Sequence, residues 1–466
     1  MGNKKYSFVY GAGLSGCGIA EVLAKSGKPV ILYNDSEKKI ATDLKELLEI
    51  NGGRYLTNDG WQLFLKESFE LILSPGIDVC HNEIVNTAKK LEIEIYGEVE
   101  ATSKFYKGKM IGITGTNGKT TTTILAGKML ENLSVPTAVA GNIGVSLAKS
   151  AFLLPKKAWL VAELSSFQLE TVNSFFRPNI AVILNLTPDH LDRHGSMEKY
   201  AEAKANIFKN QTIEDILILN YDDILVRNFA NKSKSKKFFI SCNETSELAK
   251  SDLDCAYLEN NNFVIKYNGE EKIVAAITDF KLFGKHNYQN ALAAIAAAFF
   301  AGVSINDIKN TLINFAGVED RLEYVTEISG VKYYNDTKAT NPDSVIKALD
   351  AFTGKRVVLI AGGKDKLTDL EEFMKCVAKK TVGLILIGEA RSRFFEAAKK
   401  YKVENIHVVD ESFKEGILLA NKLARSGDVV LLSPACSSFD MFKNFPERGR
   451  CFKKIVFELA KKESKL

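Results

Sequence analysis

Short apolar runs alternate with longer amphipathic stretches along the whole chain. The runs are Tyr6–Tyr10 (YSFVY), Pro29–Tyr33 (PVILY), Leu71–Ser74 (LILS), Met110–Thr114 (MIGIT), Trp159–Leu164 (WLVAEL), Ala181–Leu186 (AVILNL), Asp215–Asn220 (DILILN), Arg356–Gly362 (RVVLIAG), Val382–Gly388 (VGLILIG) and Asp428–Ser433 (DVVLLS). Strands buried on both faces have this unbroken apolar look, and the intervening stretches read as helices. The pattern predicts an α/β fold of repeated strand–helix units, with no coiled coil and no internal repeat. Breaks in it suggest three domains, at 1–97, 98–316 and 317–466. The basic runs Asn231–Lys237 and Lys461–Leu466 read as solvated surface.

Composition narrows the class. The 466 residues are too many for one ordinary domain. Hydrophobic residues make up 46% and charged residues 26%, as in an average soluble protein. A net charge of +5 is too small to suggest a nucleic-acid partner. Seven scattered cysteines, with no C-x-x-C pair, read as free thiols in a reducing compartment. The start, MGNKKYSFVYGAG, lacks the apolar stretch of a signal peptide, and no run of about 18 apolar residues is present to span a bilayer. A cytoplasmic location without membrane contact is expected.

Two glycine loops carry the candidate chemistry. Gly11-Ala-Gly13-Leu-Ser-Gly16 follows the first strand, and a second strand runs into Asp35. That is the dinucleotide-binding pattern of a Rossmann-like unit, in which glycines admit a pyrophosphate to a helix N-terminus. Any ligand with a diphosphate and a ribose could use it. The turn Ser74-Pro75-Gly76-Ile77 falls at the end of a strand of the same unit. The second loop is Gly115-Thr116-Asn117-Gly118-Lys119-Thr120, between a strand and a helix expected from Thr120 to about Leu133. Its spacing departs from the usual phosphate loop, because Ile113 holds the first glycine position. The working parts are still present: glycines for close backbone approach, Lys119 for the outer phosphates and Thr120 for magnesium. ATP is therefore the expected nucleotide. Glu163 ends a strand where a magnesium-binding acid is expected. His190 lies just past another strand end, where α/β sites collect, although a lone histidine is more often structural. Lys204, read from periodicity alone, is a surface lysine.

Together these segments resemble the Mur ligases, in particular the branch that adds D-glutamate. The motifs carrying the resemblance are GxGxSG and SPGI, then GITGTNGKTTT, GNIG, ELSSFQLE, PDHLDRHGS, YAEAKANIF and GKHNYQNALAA, and finally NDTKATNPDS and LLSPACSSFDMFKNFPERG. The resemblance implies a Rossmann-like first domain, a central phosphate-loop ATPase domain with a mostly parallel sheet, and a Rossmann-like third domain. It implies a monomer whose substrates are UDP-N-acetylmuramoyl-L-alanine, D-glutamate and ATP, without nucleic acid. It places the nucleotide sugar at Leu14, Ser15, Asp35, Ser74, Gly76, Asn142, Ser165 and Gln168. ATP would contact Gly115, Thr116, Asn117, Gly118, Lys119, Thr120, Thr121, Thr122, Asn290, Arg321, Asp336 and Lys338. Two magnesium ions would be held by Thr120, Glu163, His190 and Lys204, the last carbamylated. Lys119, His190 and Lys204 would form the catalytic set. D-Glutamate would meet Thr340, Lys366, Ser438, Phe439 and Phe445, with Lys364 an alternative to Lys366. Asp320 stands where the family often has histidine. Two rivals remain: a related ligase using L-alanine or a glutamyl chain, and an NAD-dependent dehydrogenase built on Gly11–Gly16 and Asp35. A non-catalytic nucleotide switch is a third.

Overall fold

The computed structural model describes residues 5–57, 59–243, 247–282, 284–352, 354–365, 367–410 and 412–463. Among them the strands form three sheets, and the α/β class read from the alternating runs is what the chain adopts. The first sheet has the order Arg54–Thr57, Val30–Asn34, Tyr6–Tyr10, Ser68–Leu73, Glu94–Gly97, and every neighbouring pair is parallel. The strand order reverses beside Tyr6–Tyr10, so the crevice at its carboxyl end is where such sheets bind ligands.

The second sheet has nine strands. Its parallel body runs Lys236–Ser241, Ile216–Asn220, Ile180–Ile183, Lys109–Thr114, Trp159–Glu163, Thr137–Gly141. Cys255–Glu259 joins in parallel, and Asn262–Tyr267 and Glu270–Ala276 extend the edge as an antiparallel meander. The meander departs from the strand–helix rhythm of the rest of the chain. The short turns Asn260–Asn261 and Asn268–Gly269 account for it, since all four residues adopt left-handed backbone that suits tight hairpins. The third sheet runs Glu323–Ile328, Val331–Asn335, Val429–Leu432, Val357–Gly362, Thr381–Ile387, Ile406–Val408, and only its first pair is antiparallel.

The chain divides into two compact units. One is Met1–Phe280 with His286–Phe315, and the other is Lys281–Lys285 with Ala316–Leu466. The first unit contains the first two sheets. They are joined through the helix Glu98–Phe105, whose two acids are buried and hydrogen-bonded. Glu98 accepts from Ser146 Oγ and from the Ala148 amide at the start of the helix Leu147–Leu153. Glu100 accepts three backbone amides, from Asn173, Phe175 and Phe176. Among the described residues no helix is long and apolar enough to cross a membrane, and the seven cysteines are free thiols.

Candidate active site

The phosphate loop lies between the strand Lys109–Thr114 and the helix Lys119–Leu130, which starts one residue before the expected Thr120. Gly118 caps that helix with φ +84°, and a Cβ there would lie 2.1 Å from Asn290 Oδ1. The loop thus needs glycine both for its backbone and for the approach of the helix Lys285–Ala301, which carries Asn290. The stretch after Ile180–Ile183 braces the other side. The Thr116 amide donates to Asn185 O at 2.9 Å, and the Asn117 amide donates to Asn185 Oδ1 at 2.8 Å. Asn185 Nδ2 returns a bond to Asn117 O, and Tyr200 Oη lies 3.1 Å from Thr116 Oγ1. Sequence reading missed Asn185 and Tyr200. Asn185, a polar residue just past a buried strand, was the available signal. Lys119 Nζ folds back onto Gly115 O and Thr116 O, both at 2.9 Å. Thr120 and Thr121 are buried in the first turn, and Thr122 is fully covered.

Glu163 ends the strand next to the loop strand, in register with Ile113. Its carboxylate is 1% exposed. Oε1 accepts from Asn142 Nδ2 at 2.9 Å, whereas the buried Oε2 has no partner. A buried carboxylate oxygen without a partner is costly, and a cation would satisfy it. Lys204, on the helix Met197–Ala205, is 1% exposed, which overturns its reading as a surface lysine. Its Nζ donates to Gly115 O at 2.9 Å. The helix is placed with this face against the loop, a tertiary fact that periodicity does not carry. Burial, and then the nearby Lys119 charge, push the Lys204 amine well below its ordinary pKa. His190 has left-handed backbone, φ +53°, and precedes the one-turn helix Leu191–His194. Its half-exposed ring lies 4.8 Å from the Phe167 ring and 3.5 Å from Asp189. No cluster of three His, Cys, Asp or Glu side chains that could hold a metal is found among the described residues. The unpartnered Glu163 Oε2 is the one donor here that calls for a cation.

At the first sheet, Gly16 lets the helix Leu14–Lys25 start against the loop, since a Cβ there would lie 1.8 Å from Gly11 O. Leu14 is exposed and Ser15 is half-buried at that helix start. Ser74 Oγ donates to Gly11 O at 2.9 Å, tying the Ser74–Ile77 turn to the glycine loop. At Gly76 a Cβ would meet nothing within 4 Å, so this face of the turn is open. Asp35 accepts from Tyr10 Oη, which in turn accepts from Asn82 Nδ2. Tyr10 and Asn82 were missed by the sequence reading. Ser165 and Gln168 form a reciprocal capping box on the short helix Ser166–Leu169, and Gln168 is buried. Their polar groups are engaged in ending that helix.

In the second unit, Asp336 is buried and accepts from Ser433 Oγ at 2.7 Å and the Leu322 amide at 3.2 Å. Burial pushes its carboxyl up to about 7, against a smaller pull from Arg321. Lys338 Nζ stands 5.8 Å from the Phe445 ring centre. Asp320 is also buried and left-handed, and accepts from Asn335 Nδ2 at 2.8 Å. Thr340 is half-buried, and Phe439 is 71% exposed. Ser438 Oγ is buried with no partner. Lys366 lies outside the described residues, while Lys364 pairs with Glu389 at 2.6 Å. Arg448, unremarked in the sequence, is fully buried and donates to Thr337 Oγ1, Thr337 O and Cys436 O. It bolts the loop after Val331–Asn335 to the one after Val429–Leu432.

A phosphate loop between a strand of a parallel sheet and a helix N-terminus, with an unpartnered oxygen of a buried acid at the end of the neighbouring strand, defines a nucleotide-using α/β enzyme. Residues 113–298 match the family model described as Mur ligase middle domain, and residues 320–436 match Mur ligase, glutamate ligase domain. The chain belongs to the Mur ligase family. It is 43% identical over 465 residues to the UDP-N-acetylmuramoylalanine--D-glutamate ligase of Caldanaerobacter subterraneus subsp. tengcongensis, covering 98% of this chain and 99% of that one. It is 41% identical over 463 residues to the enzyme of the same name from Thermoanaerobacter sp. strain X514, with the same coverage. The fold is similar to that of the MurF ligase from Thermotoga maritima in complex with ADP, at TM-score 0.58 and 18% identity, covering 93% and 94% of the two chains.

Proposed function

We propose that this chain is an ATP-dependent amide ligase that adds D-glutamate to UDP-N-acetylmuramoyl-L-alanine in peptidoglycan precursor synthesis. The observation that carries the reading is full-length identity above 40% to enzymes of that name, together with the braced phosphate loop. The L-alanyl carboxylate oxygen attacks the γ-phosphorus of ATP, the bond to the β-phosphate oxygen breaks, and ADP leaves. The amine of D-glutamate then attacks the carbonyl carbon of the acyl phosphate. The C–O bond breaks, phosphate leaves and the nitrogen gives up its extra protons.

The loop Gly115–Thr120 and the helix N-terminus at Lys119 would cradle the phosphates, as oriented backbone amides do. Lys119 would leave its loop carbonyls for the γ-phosphate. Asn290, Arg321, Asp336 and Lys338 would also contact ATP. Bound magnesium would neutralise charge on the transferring phosphoryl group, held by Thr120, Glu163, His190 and Lys204. Carbamylation of Lys204 is supported because burial and then the nearby Lys119 charge disfavour its ammonium form, leaving the neutral amine that adds carbon dioxide, and an anionic carbamate would suit the Lys119 charge. Leu14, Ser15, Asp35, Ser74 and Gly76 would meet the uridine diphosphate, and Asn142 the muramoyl-alanine part. Ser165 and Gln168 would act through the capping box rather than by free polar groups. Thr340, Ser438, Phe439, Phe445 and Lys366 or Lys364 would receive D-glutamate. We further assign the domains as 1–97, 98–316 and 317–466, a monomeric state and a cytoplasmic location.

The test is phosphate release from ATP with UDP-N-acetylmuramoyl-L-alanine and a panel of amino acids. D-Glutamate is expected to support turnover. Turnover with another amino acid and none with D-glutamate would sink the assignment.

A further inference from the structure

The segment that carries His190 is fastened by side chains that no step above uses. Arg193 Nη2 donates to Ile77 O at 2.8 Å, in the turn of the first sheet, and to Glu170 Oε2 at 2.9 Å. Glu170 Oε1 lies 3.1 Å from His194 Nδ1, and His194 Nε2 lies 3.0 Å from Ser166 Oγ. His194 is buried, and Arg193 and Glu170 are mostly covered. Arg193 and His194 both pack on the Phe167 ring. The Arg193 guanidinium sits 4.6 Å from its centre, and the His194 ring stacks on it at 5.5 Å. The His190 ring leans on the same platform at 4.8 Å.

His190 itself is weakly held. Its side chain is half exposed and its backbone is in the left-handed region, which costs about 1 kcal/mol or more in a non-glycine residue. That conformation persists because the next turn is fixed: the amides of Arg193 and His194 both donate to His190 O. The two residues that close this turn are the two whose side chains are bolted to Glu170, Ser166 and Ile77.

We propose that Arg193, through Glu170 and the Phe167 platform, is a positioning residue that presets His190 for the metal. It also ties that imidazole to the turn assigned to the nucleotide sugar. The inference rests on the reading of His190 as a metal ligand. A mostly covered ion pair with a planar donor holds geometry where a lysine would not.

The test is Mn2+ titration of the full chain with ADP, reading free Mn2+ by electron paramagnetic resonance. Arg193→Ala should weaken Mn2+ binding by about tenfold, as loss of a group orienting a metal ligand does, while the melting temperature stays close to that of the parent. Arg193→Lys should recover only part of the affinity. Glu170→Gln keeps the shape and removes the charge, so it serves should Arg193→Ala fail to fold, and it should also weaken Mn2+. His190→Ala is the control. If it weakens Mn2+ and both Arg193→Ala and Glu170→Gln leave affinity unchanged, the inference is overturned while the metal reading stands. If His190→Ala itself has no effect, the metal reading falls and the inference with it.

Discussion

At the scale of single residues, Lys204 shows how a site can hide. Four of the nine residues of the helix Met197–Ala205 are charged, and nothing in their spacing separates Lys204 from Lys199. Only the docking of the helix on Gly115 O does so. Lys204→Ala should remove at least about 100-fold of the ligase rate, as loss of a group that orders the metal and phosphate does, while the melting curve is retained. Near-normal turnover would refute the carbamate. Asp336 makes a different prediction. Its folded carboxyl is raised from 3.8 to about 7 by burial, so the fold favours the neutral form. Stability from this group is full below about pH 4 and is lost as pH rises through 7. Three pH units at about 1.4 kcal/mol each set a ceiling near 4 kcal/mol. Asp336→Asn keeps the neighbours' hydrogen-bonding options and removes the titration. It should melt above the parent at pH 8, with the gap closing toward pH 4.5. A constant gap across that range would contradict the raised carboxyl.

At the scale of elements, the two glycine loops were legible because their function and their backbone needs coincide. Gly118→Ala adds a Cβ to a left-handed residue, 2.1 Å from Asn290 Oδ1. The backbone alone costs about 1 kcal/mol, and the displaced Asn290 should raise the KM for ATP severalfold more than that for D-glutamate. Equal changes in both would mean a general loss of fold. Asn185, Tyr200, Arg193 and Arg448 were not legible for a shared reason. Each braces a loop from a distant element, and no local rule gives that partner. The helix Glu98–Phe105 is another such case. Glu98 and Glu100 look like a solvated first turn, yet the fold closes over them. Glu100→Ala would leave three backbone amides, one of them buried, without an acceptor and should destabilise the first unit by about 3 kcal/mol, measured by denaturant unfolding. A change under 1 kcal/mol would mean that water replaces the carboxylate.

At the scale of the whole molecule, the unbroken apolar runs gave away the parallel sheets, because strands covered on both faces need no alternation. The antiparallel meander Cys255–Ala276 was not seen, since Glu270–Lys272 are exposed and dilute its apolar pattern. The division into units is physical as well as topological: each has its own sheets and its own core of fully buried aliphatic residues. Units with separate cores can melt separately, so calorimetry of the free chain should resolve two transitions. ATP contacts are proposed for Gly115–Thr120 and Asn290, and separately for Arg321, Asp336 and Lys338. A ligand held at 100 times its Kd stabilises what binds it by about 2.7 kcal/mol. Magnesium-ATP should therefore raise both transitions and draw them together, whereas UDP-N-acetylmuramoyl-L-alanine alone should raise only that of the first unit. In Lys338→Ala the response of the second transition to ATP should shrink while the first still moves. If ATP shifts only the first transition in the parent chain, the assignment of Arg321, Asp336 and Lys338 to the nucleotide is wrong.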